Sequence, residues 1–163
     1  IVLESLHNTG SKKESIAILS PYRRQVKKIS EHLESQPMVM NHLSKNFSLS
    51  GMNAPCFTVD SFQGNEADTI IISLVRNNSA PTIKSSLGFL TDTRRTNVLL
   101  SRARNRLIII GSLEFLDSSL SQARNEDDKE KVKSIQKLLS LIRSKSNPNT
   151  AIIDFKTIQG WKK

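Results

Sequence analysis

The sequence predicts an α/β layer structure with a mainly parallel sheet, and three observations predict it. Short apolar runs, mostly rich in β-branched residues, recur at Ile16-Ala17-Ile18-Leu19, Phe57-Thr58-Val59, Thr69 to Val75 and Arg106 to Ile110. Stretches with helical spacing of apolar residues stand between or after them. The runs are apolar at successive positions, as strands covered by helices on both faces are, whereas a one-sided sheet would alternate.

The elements follow in order. Ile1, Leu3 and Leu6 read as the end of a helix begun upstream and closed by Asn8-Thr9-Gly10. The start at Ile1, without Met, predicts a fragment cut from a larger protein. Ile16 to Leu19 is a buried strand, and Ser20-Pro21 turns it into a helix over Tyr22 to Leu33 with Pro in its first turn. That helix puts Val26, Ile29 and Leu33 on one face and shows Arg23, Arg24, Lys27 and Lys28 on another. From Glu34 to Pro55 the pattern is weak and reads as a connection with one more helical turn, containing Gly51 before the next strand.

Phe57 to Val59 is the second strand, Asp60 to Asp68 a polar loop, and Thr69 to Val75 the clearest strand of the chain. Arg76 to Leu87 reads as a surface loop, with Gly88-Phe89-Leu90 leading into a helix over Thr91 to Arg104. On that helix Val98 and Leu99 point to the core, while Asn97, Ser101 and Arg104 share another face. Arg106 to Ile110 is the fourth strand. Glu114 to Ser144 is helical, with a stripe of Val132, Ile135, Leu138, Leu139 and Ile142; Asn125 to Glu130 is a solvated charge run. Ala151 to Phe155 is an edge strand or a docking tail.

Composition narrows the function. The 163 residues carry 24 Lys plus Arg against 15 Asp plus Glu, a net charge of +9 that points to polyanions such as nucleic acid, nucleotide or acidic membrane. Cys56 is the single cysteine, so no internal disulfide forms and a reducing compartment is the simpler reading. His7, His32 and His42 lack the spacing of metal ligands, and no metal site is expected. The sequence has no signal peptide and no apolar run of about 18 residues, so neither secretion by that route nor a membrane span is expected.

Several residues can carry chemistry. Gln63-Gly64-Asn65-Glu66 is either a polar turn with capping carboxylates or a ligand loop in which Gly64 permits close backbone approach and Glu66 and Asp68 supply acceptors. Thr58, Asp60 and Ser61 offer groups for sugar or phosphate, or are plain strand-end polarity. Tyr22, Arg23 and Arg24 can stack on a base or grip phosphate; otherwise Tyr22 covers the core and the arginines are solvated. Crowded arginines repel one another unless an anion or carboxylates sit between them. Arg102 on a rigid helix suits charge stabilisation on a transferring phosphoryl group, or an ion pair with Glu66 or Asp68. No phosphate-cradling G-x-x-x-x-G-K-[ST] loop occurs, so autonomous ATP hydrolysis is not expected. Polar segments after strands belong at the carboxyl edge of a parallel sheet. Ser20 to Arg24 and Asp60 to Asp68 are both expected there.

Three segments, Ile18-Leu19-Ser20-Pro21-Tyr22-Arg23-Arg24-Gln25, Val59 to Ile71, and Arg94 to Arg104, resemble motifs IV, V and VI of superfamily 1 helicases. Their order and spacing are similar to those of the second RecA-like domain in the branch holding the nonsense-mediated-decay, senataxin-type and nidoviral helicases. The resemblance implies a RecA-like three-layer sandwich, P-loop NTPase-like but lacking its own P-loop, with residues 1–115 as the core and 116–163 as a C-terminal extension of the same domain. It implies an ATP-dependent helicase or translocase on single-stranded RNA or DNA, moving 5′ to 3′, inside the cell, in cytoplasm or nucleus. ATP with Mg²⁺ would be bound mainly by an N-terminal RecA-like domain absent from this chain.

Carried over by position, Arg102 resembles the arginine finger, and Gly64 and Glu66 resemble motif V residues near the phosphates and ribose. Arg95 and Arg104 fall at supporting basic positions of motif VI. Tyr22, Arg23, Thr58 and Asp60 fall where such helicases contact the strand. Some relatives place an arginine just after the motif IV glutamine, where this chain has Val26. The competing reading is a non-catalytic nucleic-acid-binding or interaction module of degenerate RecA-like fold. A nuclease is disfavoured because carboxylates are not clustered at metal spacing.

Overall fold

The computed structural model describes residues 2–6, 12–50, 54–74, 76, 78, 80–144, 149 and 151–153. The described chain divides into two compact units, one of Leu3–Arg76 with Val98–Ser112, the other built mainly from Asn77–Asn97 and the residues from Leu113 onward.

The first unit is built on β1 (Glu14–Ser20), which is paired on both sides. One edge of β1 carries two short strands in succession: β2 (Phe47–Leu49) alongside Glu14 to Ile16, then β3 (Cys56–Thr58) alongside Ile18 to Ser20. On its other edge lies β4 (Ala67–Ser73), followed by β5 (Ala103–Ile110). All four pairings are parallel. Parallel neighbours demand crossovers. These are α2 (Arg23–Glu34) and α3 (Pro37–Asn46) between β1 and β2, while the path from β4 to β5 ends in a helix over Thr93–Leu100. A short helix, α1 (Val2–Ser5), precedes β1.

Successive strand residues face opposite ways. Ile16 and Ile18 of β1 and Ile71 of β4 pack with Leu33, Leu43 and Phe47, flanked by Ile29, Val39, Leu49 and Ile108. The oppositely directed Ala17, Leu19, Ile70 and Ile72 are fully buried too. Burial on both faces is the physical reason for the uninterrupted apolar runs, and the fold is the α/β, RecA-like one with a parallel sheet.

The sheet extends further than the apolar runs because polar residues join the ladder. Glu14, Ser15, Asp68 and Arg104 are strand residues. The weak stretch after Glu34 holds a full helix and a strand rather than one turn: Pro37 opens α3, and Phe47, which is 1 % exposed, anchors β2. Gly51 lies outside the described residues, as do Asn8 to Gly10 and His7.

In the second unit α4 (Ile83–Leu87) occupies the expected loop; Thr82 and Ser85 cap it reciprocally. A 3₁₀ turn over Gly88–Thr91 leads to α5 (Thr93–Leu100), whose first residues belong to this unit. The predicted helix of Glu114 to Ser144 is two helices, α6 (Leu113–Leu120) and α7 (Glu126–Arg143). The charge run is the first turn of α7: Asn125 accepts from the Asp128 amide at 2.8 Å, and three acidic residues lie at the positive end of the helix. Val132, Ile135 and Leu139 of the expected stripe are buried. Ala151 to Ile153 form no strand, and Asp154 and Phe155 lie outside the described residues.

Candidate active site

Within the first unit the candidate residues gather at two places, one at each end of the parallel strands. The expectation that Asp60 to Asp68 lie wholly at the carboxyl edge is corrected: Thr58 to Ser61 stay there, and the loop then returns to the start of β4, placing Glu66 and Asp68 at the amino edge.

The amino-edge group centres on two arginines. The helix ends at Leu100, so Arg102 stands in a turn and Arg104 in a strand, which corrects the helical face of Asn97, Ser101 and Arg104. The cause is sheet pairing: the Ala67 amide donates to the Arg102 carbonyl at 3.1 Å and pulls the chain into β5. Asn97 instead accepts from Ser134 Oγ at 2.9 Å. The half-buried Arg102 donates Nε to the Val98 carbonyl at 3.0 Å and Nη1 to the Asn65 carbonyl at 3.2 Å. Two main-chain acceptors thus fix the guanidinium plane without neutralising its charge.

The ion pair considered for Arg102 belongs to Arg104. Its Nε donates to Glu66 Oε2 at 3.2 Å, and its Nη1 lies 3.8 Å from Asp68 Oδ1. Asp68 in turn accepts from the Ser15 amide and the Ser15 hydroxyl, each at 2.8 Å, and its own amide donates to Ser15 Oγ at 2.9 Å. The Ser15 amide, then its hydroxyl, hold the Asp68 carboxyl below the usual aspartate range; the charges of Arg104 and Lys12 add to this, against some desolvation. A depressed native pKa means that the carboxylate stabilises the fold above the ordinary aspartate value and ceases to as pH falls through the native one. We therefore expect Asp68→Ala to lower the urea midpoint at neutral pH. The gap to wild type should shrink once pH drops below about 3.9; an unchanging gap would contradict the role.

Gly64 has φ +83°, a region that L side chains rarely adopt, and no atom lies within 4 Å of where a Cβ would project. The loop backbone is therefore open to a ligand at this point. Phe62, 3 % exposed and in tilted ring contact with Phe57 at 5.1 Å between centroids, anchors the loop.

At the carboxyl edge Tyr22 is the N-cap residue of α2, with Pro21 just before it. Ser20 Oγ accepts from the Tyr22 amide at 3.4 Å and donates to the Ser73 carbonyl at 3.2 Å. Gln25 Nε2 reaches Ser73 Oγ at 3.4 Å. The Arg76 guanidinium lies 5.3 Å from the Tyr22 ring centroid, a cation–π arrangement. Arg23 and Arg24 are exposed on α2, and Asp60 is exposed in the turn after β3. Thr58 and Ser61 close that turn reciprocally, hydroxyl to hydroxyl at 2.9 Å and each amide to the other's oxygen.

Arg95 belongs to the second unit. Its amide donates to Asp92 Oδ1 at 3.0 Å, and its guanidinium lies 5.5 Å from the Phe89 ring centroid.

Sequence reasoning missed Ser15, the Asn65 carbonyl and Arg76. Main-chain acceptors leave no trace in residue type, and Ser15 is one of many serines. Arg76 follows directly on the apolar run and could have been flagged as a strand-end cation. Among the described residues no three His, Cys, Asp or Glu gather as metal ligands would, and no described helix is long and apolar enough to cross a membrane.

Comparison with known sequences bears on these groups. A profile of the AAA domain family matches residues 1–114. DNA polymerase alpha-associated DNA helicase A of Saccharomyces cerevisiae is 34 % identical over 114 residues, covering 70 % of this chain and 14 % of the yeast protein. Regulator of nonsense transcripts 1 of Dictyostelium discoideum is 39 % identical over 107 residues, 66 % of this chain and 7 % of that protein. Helicase SEN1 of S. cerevisiae is 38 % identical over 104 residues, 64 % of this chain and 4 % of its own length. The chain thus spans a small part of each of these relatives. The matched segment takes in both ends of the sheet, and the chain belongs to the AAA domain family, as a second RecA-like domain of the superfamily 1 branch that includes the nonsense-transcript regulators and SEN1.

Proposed function

We propose that the full-length protein is an ATP-dependent helicase or translocase on single-stranded RNA or DNA, moving 5′ to 3′ inside the cell. This chain supplies its arginine finger and part of its nucleic-acid groove. The observation that carries the reading is the turn of Arg102. A guanidinium held by two main-chain carbonyls, beside the loop of Gly64, is aimed and charged, in a chain without a phosphate-cradling loop of its own. Such a group is silent alone and acts when another domain brings a nucleotide to it, so hydrolysis is coupled to closure.

In this reading Arg102 meets the γ-phosphate, Gly64 and Glu66 meet the phosphates and ribose, and Arg95 supports motif VI. ATP and Mg²⁺ are held mainly by the N-terminal RecA-like domain. Tyr22, Arg23, Thr58 and Asp60 serve the nucleic-acid strand at the opposite end, where Arg76 adds positive charge over the Tyr22 ring. Residues 1–115 carry this chemistry, and 116–163 extend the domain.

The test is ATP turnover of the full-length protein with single-stranded RNA and DNA offered as competing activators. The expected result is stimulation by one or both. Nucleic-acid binding without stimulated turnover would instead favour the non-catalytic module.

A further inference from the structure

Helices α5 and α7 are joined by two rungs. Thr93 Oγ1 donates to the Glu130 carbonyl at 3.3 Å, and Ser134 Oγ donates to Asn97 Oδ1 at 2.9 Å. Thr93 and Asn97 are four residues apart on one helix, and Glu130 and Ser134 four apart on the other. Each pair therefore shares a helix face, and the rungs are one turn apart. Two rungs fix what one would leave free, the rotation of α5 about its own axis and its slide along α7. The support is itself seated: Val132 and Ile135, next to the rung residues of α7, are buried, and α7 packs against the 3₁₀ turn that leads into α5.

Val98 directly follows Asn97, and its carbonyl is among the last four of α5, which lack an intrahelical donor. It accepts instead from Ser101 Oγ at 3.2 Å and from Arg102 Nε at 3.0 Å. The direction of that carbonyl is set by the rotation of α5. We propose that Asn97 and Ser134 are positioning residues for Arg102: their rung fixes the rotation of α5, and the Val98 carbonyl passes it to the guanidinium. α7, to which the site above assigns no role, is thereby a brace for the arginine finger. The proposal rests on the helicase reading above. The rung is exposed and of ordinary strength, so its loss hardly moves stability. A reacting group misplaced by about 1 Å, by contrast, can cost about 10²-fold in rate, even when the change lies far from the chemistry.

The experiment is steady-state, nucleic-acid-stimulated ATPase of the full-length protein, with a thermal melt of each variant. Wild type, Ser134→Ala, Asn97→Ala, their double variant and Ser134→Thr are compared. Ser134→Ala and Asn97→Ala should each lower kcat about tenfold, leave KM for ATP within about twofold, and leave the melt unchanged. The double variant should be no slower than either single one, since both remove the same rung. Ser134→Thr keeps the hydroxyl and should keep the wild-type rate. In an Arg102→Ala background neither alanine should change the residual turnover, as expected of residues that act through that guanidinium.

Additive losses in the double variant, a rise in KM without loss of kcat, or a further loss in the Arg102→Ala background would each overturn the assignment. Where Asn97→Ala lowers the melt, Ser134→Ala, which changes only the bracing helix, decides by the same criteria. A wild type without nucleic-acid-stimulated turnover would overturn the helicase reading, and this assignment with it. Stimulated turnover that Arg102→Ala abolishes and Ser134→Ala leaves intact would overturn the positioning role alone.

Discussion

Replacing Arg102 by alanine in the full-length protein is expected to lower nucleic-acid-stimulated ATP turnover by roughly 10³–10⁵-fold, the range that phosphoryl-transfer enzymes lose with their arginine finger. Folding should survive. The side chain bonds two carbonyls in a turn that water reaches in part, so its removal costs about 1 kcal/mol of stability rather than a buried unpaired charge. The fixed point of the turn is the bond from the Ala67 amide to the main chain of residue 102, which alanine keeps. The measurement is single-turnover hydrolysis at saturating nucleic acid, with a thermal melt of the variant alongside. Near-wild-type turnover would remove Arg102 from the chemistry.

The largest loss of stability among simple truncations is expected at Phe47→Ala, about 3–5 kcal/mol by urea unfolding. Phe47 is 1 % exposed and packs in the cluster that joins β1 and β4 to α2 and α3. It also opens β2, whose three residues hold the outer edge of Glu14 to Ile16. Truncation leaves a cavity among β1, β4, α2 and α3, which cannot close on it independently. A cost under about 1 kcal/mol would mean that the edge strand and its cluster can relax, contrary to the close packing of interiors.

That residue also shows where the sequence was hard to read. Ile16 to Leu19 and Thr69 to Ile72 declare themselves because both faces of the central strands are buried, so hydrophobicity alone marks them. β2 has three residues, too few for any period, and α4 has five. Their place is set by pairing and capping instead. The same holds at the ends of strands: Ser15 and Asp68 belong to the ladder because they hydrogen-bond each other across it, which no apolar pattern records.

At the candidate site, motif spelling brings Gly64, Glu66, Arg102 and Arg104 to notice, but not which arginine takes which partner. The helix ends three residues before Ala103, the register of β4 against β5 shifts between Ala67 and Thr69, and Arg104 rather than Arg102 meets the acids. Both are properties of the sheet, decided by residues far away in sequence.

β1 deserves to be seen as a strut of fixed length. Ser15 near one end grips Asp68, and Ser20 at the other grips the main chain of Ser73, five residues along. At about 3.3 Å per residue that is a span of about 17 Å. No ligand group bonded at the Ser15 end touches one bonded at the Ser20 end. In the proposed reading the two ends serve different molecules, with one strand, paired on both edges, fixing the distance between them.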